Sequence, residues 1–152
     1  MIRFLSDIRN SALALVAWSV AVLWLLYATR LPAMARARIS LKRIAVKNSE
    51  SFREEQKKMP LEALQVAENY NHLMEQPTIF YALVFFVASK AGEQPGLAAR
   101  LNAEAWAYVL LRVAHSLVQC FYNTVALRFA VFALSSLVLT HMVCVAVANE
   151  IF

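Results

Sequence analysis

The polar segment at positions 68–77 reads Glu68-Asn69-Tyr70-Asn71-His72-Leu73-Met74-Glu75-Gln76-Pro77, and a long apolar stretch follows it. Within the segment, Glu68, Asn71, His72 and Glu75 have the spacing i, i+3, i+4, i+7, which places their side chains on one face of a helix. A membrane helix turns such a face toward protein, water or a ligand rather than toward lipid. The segment therefore predicts the start of a membrane helix whose polar face lines a contact or a binding site.

The composition indicates a membrane protein. Of the 152 residues, 61% are hydrophobic and only 16% are charged, and the mean hydropathy is +0.53, which is too apolar for an ordinary soluble domain of this size. Residues 10–29 and 129–149 contain no Asp, Glu, Lys or Arg. Uncharged apolar runs of roughly 20 residues are long enough to cross a bilayer core.

We predict an all-α fold with one domain, an integral membrane four-helix up-down bundle, because short connections favour antiparallel neighbours. Pro32 is expected to bend the chain where it leaves the membrane, and Pro77 to kink the second span. The fourth span is almost free of polar side chains and is interpreted as an outer packing helix. The predicted spans cover residues 11–31, 61–89, 103–121 and 129–148.

The first span has an alternative interpretation as a secretory signal. Ala33-Met34-Ala35 mimics a small-residue cleavage site. The apolar run before it is longer than the roughly 7–15 residues of a signal core, so we favour a membrane helix.

The positive charge belongs to the loop at residues 32–60 and its edges. From Arg30 to Glu62 there are nine Lys and Arg and four Glu, and 9 − 4 = +5 equals the net charge of the whole chain. Excess cations mark cytoplasmic loops, so we predict that this loop is cytoplasmic and that both termini lie on the opposite side. No aromatic or glycine pattern accompanies the cations, and a nucleic-acid partner is therefore not expected.

Two further expectations concern the same loop. The charged stretch at 53–58 is interpreted as ordinary solvated surface. Apolar residues among the cations favour a helix lying near anionic lipid headgroups; they are Ile39, Leu41, Ile44 and Val46.

The third predicted span carries a second polar stripe. Its members follow the spacing i, i+3, i+4, i+7, i+11 and are Arg112, His115, Ser116, Gln119 and Asn123. The simplest arrangement turns the two stripes toward each other or toward a neighbouring subunit, so that Arg112 pairs with Glu75 or Glu68. Such stripes predict a polar pocket for an anionic, zwitterionic or amphipathic ligand, open to the cytoplasm, with Tyr122, Asn123 and Arg128 at its mouth.

Three alternatives to a ligand pocket remain at this point. The charges could form a structural ion pair, an ion relay, or a metal site built from Glu68, His72, Glu75 and His115. The di-iron bundle signature is Glu-x-x-His on two helices, whereas here the order is reversed and occurs once, so no metal is expected. The cysteines, Cys120 and Cys144, are interpreted as buried small hydrophobic residues.

The polar motifs resemble the MAPEG family (membrane-associated proteins in eicosanoid and glutathione metabolism), and specifically its bacterial-type branch. The resemblance extends over residues 13–147 and is carried by the segment 68–81, by Arg112-Val113-Ala114-His115-Ser116, and by Asn123 and Arg128. It implies a homotrimer in a membrane, here a bacterial inner membrane, with ligand sites between subunits near the cytoplasmic face. It also implies glutathione as co-substrate, membrane lipid as surroundings and a lipophilic small molecule as second substrate.

The resemblance also implies roles for individual residues. Arg128 matches the arginine that stabilises the glutathione thiolate and is the candidate catalytic residue. Glu75 matches the glutamate that contacts the ligand amino group, and Arg112 matches the arginine of the third helix. The remaining candidate ligand-binding residues are Asn71, His72, His115, Tyr122 and Asn123.

The chain departs from the family pattern at several of these positions. Glu68 stands where family enzymes carry arginine, and His72, beside Asn71, stands where they carry asparagine. His115 and Gln119 replace two tyrosines. We therefore expect a membrane-bound glutathione-dependent transferase or peroxidase-like protein acting on lipophilic electrophiles at a subunit interface. The alternative is a non-catalytic lipid-binding or scaffold protein of the same fold.

Overall fold

The computed structural model describes residues 2–46 and 49–151, and the regular elements in these ranges are all helical. A 3₁₀ turn, Lys90–Gly92, follows the fifth helix, and a π-helical turn, Val118–Tyr122, follows the sixth. The α-helices are α1 (Ile2–Leu5), α2 (Ile8–Arg36), α3 (Glu50–Gln56), α4 (Leu61–Glu75), α5 (Pro77–Ser89), α6 (Pro95–Leu117) and α7 (Val125–Ile151). The predicted all-α fold is confirmed.

One hydrophobic core joins the long helices. The most extensive contacts are those of α6 with α7, of α2 with α4, and of α2 with α6. Phe80 of α5 stacks on Tyr108 of α6 with 4.5 Å between ring centroids, and Leu15 of α2 is fully buried in the same core. The first predicted span, as α2, therefore contributes to the core of the bundle.

In the described part of the chain, two helices have the length and hydropathy of membrane spans, namely Ile8–Arg36 and Val125–Glu150. The second predicted span is divided, since α4 has 15 residues and α5 has 13. The sixth helix carries Arg100, Glu104 and Arg112 along its length. The break between α4 and α5 and the charged residues of α6 explain why hydropathy identifies the first and last predicted spans but not the second and third.

The break in the second span lies at the predicted residue. The fourth helix ends at Glu75, and Pro77 occupies the first turn of α5, where its missing N–H leaves no hydrogen bond unmade. Thr78 donates a hydrogen bond from Oγ1 to the carbonyl of Glu75 at 2.6 Å. Gln76 donates from Nε2 to Oγ of Ser136 at 2.7 Å, which ties the break to α7.

Other boundaries differ from those expected. The second helix continues through Pro32 to Arg36, so Pro32 does not end it. The sixth helix begins at Pro95 rather than near residue 103, about two turns earlier. A proline at the first helical position has the backbone angle that a helix requires, so this residue starts the helix instead of prolonging the loop.

The loop between α2 and α4 contains the short helix α3, and Lys47 and Asn48 lie outside the described residues. Residues 39–46 form turns, bends and irregular backbone rather than a helix, and the half-buried Ile39, Ile44 and Phe52 line one small cleft. Glu55 is only 1% exposed, so the interpretation of residues 53–58 as plain solvated surface was wrong at this position.

Candidate functional site

A cleft of about 210 Å³ opens between α4, α6 and the start of α7. We call it the cationic cleft because the guanidinium of Arg128 lines it, together with two histidines. Its lining residues are His72, His115, Val125, Arg128, Phe129 and Phe132. The structure therefore brings together three of the residues singled out from the sequence, one from each helix.

The two histidines meet across the cleft. The imidazole rings of His72 and His115 lie 5.8 Å apart between centroids in an edge-to-face arrangement. Phe132 contacts both, at 6.3 Å from His72 and 5.8 Å from His115. The polar stripes of the second and third spans thus face each other at these two residues, and an aromatic ring of α7 closes the wall.

Arg112 lies behind that wall and is 1% exposed. Its Nε donates to the hydroxyl of Tyr108 at 3.1 Å. The guanidinium carbon lies 5.5 Å from the Tyr108 ring centroid and 5.3 Å from that of Phe132. In the part of the chain that the structure describes, Nη2 is buried without a hydrogen-bond partner and no carboxylate forms an ion pair with Arg112.

This environment is unusual for a charged side chain. Two aromatic faces attract the guanidinium, but a buried charge is normally paired with a group of opposite sign. Arg112 has five N–H groups, and within the described ranges its one hydrogen-bond partner is the neutral hydroxyl of Tyr108. The site therefore presents an uncompensated positive charge beside a cleft, which favours an anion.

The expected pairing of Arg112 with Glu75 or Glu68 was wrong within one subunit. The side chain of Glu75 is 73% exposed, and its Oε2 lies 3.9 Å from Nδ1 of His72. Glu68 and Asn71 are also exposed. Three members of the polar face of α4 consequently point away from their own chain, while His72 alone turns into the cationic cleft.

Asn123 positions the arginine at the rim of the cleft. Its backbone has a φ of 48° in the left-handed region, a conformation that asparagine tolerates better than most residues. Its N–H donates to the carbonyl of Val118 at 2.7 Å, and its Oδ1 accepts from Nη1 of Arg128 at 2.9 Å. One residue thus both turns the chain between α6 and α7 and orients a guanidinium.

The remaining predicted site residues lie apart from the cleft. Tyr122 is 79% exposed and does not line it, and Asn71 and Glu75 are on the outer face of α4. Sequence reasoning missed Tyr108, Phe129 and Phe132. The sequence spacing could have indicated two of them. Tyr108 precedes Arg112 by four residues and Phe132 follows Arg128 by four, so each pair lies on one helix face.

No metal centre is evident in the described ranges, where no group of three or more His, Cys, Asp or Glu side chains is placed to hold an ion. The cysteines are both free: Cys120 is half-buried, but Cys144 is exposed. The interpretation of both as buried hydrophobic residues was therefore wrong for Cys144.

Fold and cleft together define a class, namely a helical membrane bundle with a cationic cleft near the turn between its last two long helices. Comparison with known protein families matches residues 11–148 to the MAPEG family. The chain belongs to the MAPEG family, and it is a membrane protein of this glutathione and eicosanoid metabolism family. No curated protein and no solved structure gives a significant match to it.

Proposed function

We propose that this protein is a membrane-bound, glutathione-dependent transferase or peroxidase-like enzyme that acts on lipophilic electrophiles. The observation that carries the proposal is the buried guanidinium of Arg112, which among the described residues has an unpartnered Nη2 and no ion pair with a carboxylate. Arg128 adds a second guanidinium at the cleft. Glutathione supplies the matching charges, because it has two carboxylates and a thiol that ionises.

Arg128 stabilises the glutathione thiolate in this proposal. A fixed guanidinium lowers the pKa of a nearby thiol and stabilises negative charge where it develops. The hydrogen bond from Arg128 to Asn123 at 2.9 Å holds the guanidinium in place before the ligand binds. Arg112 attracts a glutathione carboxylate, and the exposed carboxylate of Glu75 contacts the ligand amino group.

The reaction needs a proton acceptor and an apolar surface, and the cationic cleft offers both. The thiol proton passes to the imidazole of His72, which is more exposed than that of His115. The thiolate sulfur then forms a bond to the electrophilic carbon, and the leaving group departs with its electron pair. Val125, Phe129 and Phe132 supply the apolar wall for a substrate that arrives from the bilayer.

A homotrimer with sites between subunits accounts for the outer face of α4. Glu68, Asn71 and Glu75 are exposed on a single chain, within a segment predicted to cross the membrane. An isolated charge at the bilayer centre costs roughly 2.5–3.5 kcal/mol on insertion scales. A neighbouring subunit or a ligand between subunits removes this cost.

The test is binding and turnover on the purified protein in detergent. Titration calorimetry with millimolar glutathione is expected to show binding, and conjugation of an aromatic halide to show turnover. Arg128→Ala is expected to lower turnover about 100-fold, whereas Arg100→Ala, on the same helix bundle but lining a different cleft, leaves it unchanged. Absence of glutathione binding would reject the proposal.

A second function is favoured by the apolar wall of Val125, Phe129 and Phe132 and by the departures from the family pattern at Glu68 and His72. In this alternative the cleft binds lipid without catalysis. It predicts lipid that is retained through purification and displaced by competing lipids, with no thiol consumed. Loss of a measurable transferase rate in Arg128→Ala, with the assembly intact, would exclude it.

A further inference from the structure

The end of α2 carries exposed cations grouped around one exposed apolar side chain. Within the described ranges these cations form no ion pair, whereas the nearby carboxylates of Glu54 and Glu55 are paired with Arg43. The apolar side chain, Leu41, is 70% exposed. We call this group the basic rim, and its members are Arg36, Arg38, Leu41 and Lys42.

The basic rim lies at the level of lipid headgroups when α2 spans a bilayer. The helix has 29 residues and is therefore about 43 Å long, which matches the roughly 40–45 Å of a bilayer with its headgroups. Residues 10–29 contain no Asp, Glu, Lys or Arg, and Arg36 follows them after about 10 Å of helix. The cations of the basic rim are therefore placed to meet lipid phosphate groups.

Arg38 occupies a backbone position at which helices usually have glycine. Its φ is 51°, in the left-handed region. Its N–H donates to the carbonyl of Ala35 at 3.2 Å, and the N–H of Ile39 donates to the carbonyl of Met34 at 3.1 Å, which together form a Schellman helix end. Arginine is less stable than glycine in this conformation. Such strain occurs where a side chain has a function, so the guanidinium itself is indicated as the functional group.

A turn presents Leu41 and Lys42 at the surface. The N–H of Arg43 donates to the carbonyl of Ser40 at 3.0 Å, so these two residues occupy the central positions of the turn. The turn is fixed to α3, because the backbone N–H of Ser40 donates to the carboxylate of Glu55 at 3.2 Å. Turns favour glycine, proline and polar residues, so an exposed leucine held at this point indicates contact with an apolar medium.

We propose that the basic rim binds acidic phospholipid. The lipid phosphate pairs with Arg36, Arg38 and Lys42, and the side chain of Leu41 inserts beneath the headgroups. Cations that directly follow a membrane helix attract anionic lipid by on the order of fivefold each, and the apolar side chain among them favours a lipid surface over a soluble anion. The proposal does not depend on glutathione, because no residue of the basic rim lines the cationic cleft.

The experiment measures how closely acidic and zwitterionic lipids approach position 41. In the full chain, with Cys120 and Cys144 replaced by serine, a bimane fluorophore is attached at Leu41→Cys, and the protein is reconstituted in phosphatidylcholine bilayers. Nitroxide-labelled phosphatidylglycerol is expected to reach half-maximal quenching at about one fifth or less of the mole fraction that labelled phosphatidylcholine needs. Millimolar glycerol phosphate in solution should leave this preference unchanged, which separates a lipid from a free phosphate.

Arg38→Gly separates the guanidinium from the backbone that carries it. Glycine relieves the strain, so the melting temperature is expected to rise by roughly 2–4 °C, while the preference for phosphatidylglycerol falls about fivefold. Arg100→Gln is the matched control. Arg100 is also exposed, but it lies at the other end of the bundle, where Asn102 donates to the carbonyl of Leu5 at 2.8 Å. Its substitution should leave the preference unchanged.

Each outcome of this experiment bears on the proposal. Equal quenching by the two lipids, or an unchanged preference in Arg38→Gly, would overturn it. Loss of the preference in glycerol phosphate would assign the basic rim to a soluble anion and would also overturn it. A melting temperature that does not rise in Arg38→Gly would show that the guanidinium serves the fold, and would reject Arg38 as a lipid ligand.

Glutathione titration of the same variants keeps this result separate from the proposed enzymatic function. Arg38→Gly leaves every lining residue of the cationic cleft in place, so glutathione binding should equal that of the wild-type protein. Failure of lipid binding with glutathione binding intact would reject the basic rim alone, and the reverse result would reject the glutathione-dependent function alone.

Discussion

Arg112 is a buried cation stabilised by aromatic rings instead of a carboxylate. Tyr108 contributes twice, because its hydroxyl accepts a hydrogen bond from Nε and its ring lies 5.5 Å from the guanidinium carbon. The ring of Tyr108 also stacks on Phe80 in the core. The contacts of the buried guanidinium are therefore part of the packing of the bundle.

The substitution Tyr108→Phe removes the hydroxyl and keeps the ring, so it measures the contribution of the hydrogen bond alone. We expect it to destabilise the protein by about 1–3 kcal/mol, because it leaves the buried Nε of Arg112 unpaired. The measurement is the midpoint of thermal unfolding of the purified protein. Tyr27→Phe, which alters an exposed tyrosine of α2, is the control and should leave the midpoint unchanged. An unchanged midpoint for Tyr108→Phe would mean that water or another group serves Nε.

Asn123 combines a backbone role with a side-chain role, and two substitutions separate them. Asn123→Gly keeps the left-handed backbone accessible but frees Arg128, while Asn123→Ala removes the same hydrogen bond and adds strain of about 1–2 kcal/mol. We expect both variants to bind glutathione more weakly by the same factor. Only Asn123→Ala should also melt at a lower temperature. Weaker binding in Asn123→Ala alone would assign the effect to the backbone.

At the scale of elements, the loop between α2 and α4 is held by a buried carboxylate. Glu55 accepts hydrogen bonds from Nζ of Lys58 at 2.7 Å and from the backbone N–H of Ser40 at 3.2 Å, and Nη1 of Arg43 lies 3.5 Å away. The hydrogen bond from Lys58 is the main cause that lowers the pKa of Glu55 below its ordinary value of 4.5, followed by that from Ser40 and by the charges of Lys58 and Arg43.

A lowered carboxyl pKa gives stability that is fully present above the unfolded-state pKa and is lost as the pH falls through the folded-state pKa. We therefore expect the Ser40 amide to be protected from hydrogen exchange at neutral pH and to lose protection below pH 4.5. In Glu55→Gln, the Ser40 amide should exchange at neutral pH as fast as it does in the wild-type protein below pH 4.5. Glu54→Gln alters the exposed partner of Arg43 and should retain the wild-type profile, because exposed ion pairs contribute little.

The elements show where sequence patterns suffice and where they do not. The spacing around Glu68 and Arg112 predicted that two polar stripes meet, and Pro77 predicted the break in the second span. Periodicity does not fix the rotation of a helix about its axis, however. His72 turns inward and Glu75, three residues on, turns outward, so the expected ion pair with Arg112 was wrong within one chain.

Other parts of the site depend on long-range contacts that no local pattern encodes. Phe132 lies in a helix with few polar residues, and only tertiary packing places it between Arg112 and the two histidines. Outside the site, Glu55 likewise accepts a hydrogen bond from the backbone of Ser40, fifteen residues away in the sequence. The start of α6 at Pro95 was missed for a different reason, because proline and glycine next to each other favour a turn as well as a helix start.

At the scale of the whole molecule, a single chain leaves charge on the surface of a membrane bundle. Glu68 and Glu75 are both exposed, and at roughly 2.5–3.5 kcal/mol each near the bilayer centre they would be unfavourable against lipid. The large apolar side chains Phe85 and Leu137 are equally exposed but suit lipid contact. The surface of the bundle therefore has an apolar face that suits lipid and a charged face that requires a polar partner.

This division predicts different surroundings for two positions of the same span. With Cys120 and Cys144 replaced by serine, a spin label is attached at Asn71→Cys or, as the control, at Phe85→Cys, both of which are exposed on the single chain. In bilayers, dissolved oxygen is expected to relax the label at position 85 strongly and that at 71 weakly. Native mass spectrometry of the same samples should give a trimer.

This comparison of the two labels shows whether a neighbouring subunit or lipid surrounds the exposed carboxylates of Glu68 and Glu75. If a neighbouring subunit covers the outer face of α4, the label at position 71 is shielded from oxygen, and dissociation of the trimer in harsh detergent makes both labels equally accessible. Equal accessibility in intact bilayers would instead place Glu68 and Glu75 in contact with lipid, and a ligand site between subunits would lose its main support. Because His72, His115 and Arg128 line the cationic cleft from one chain, that result would leave the cationic cleft as a site within a single subunit.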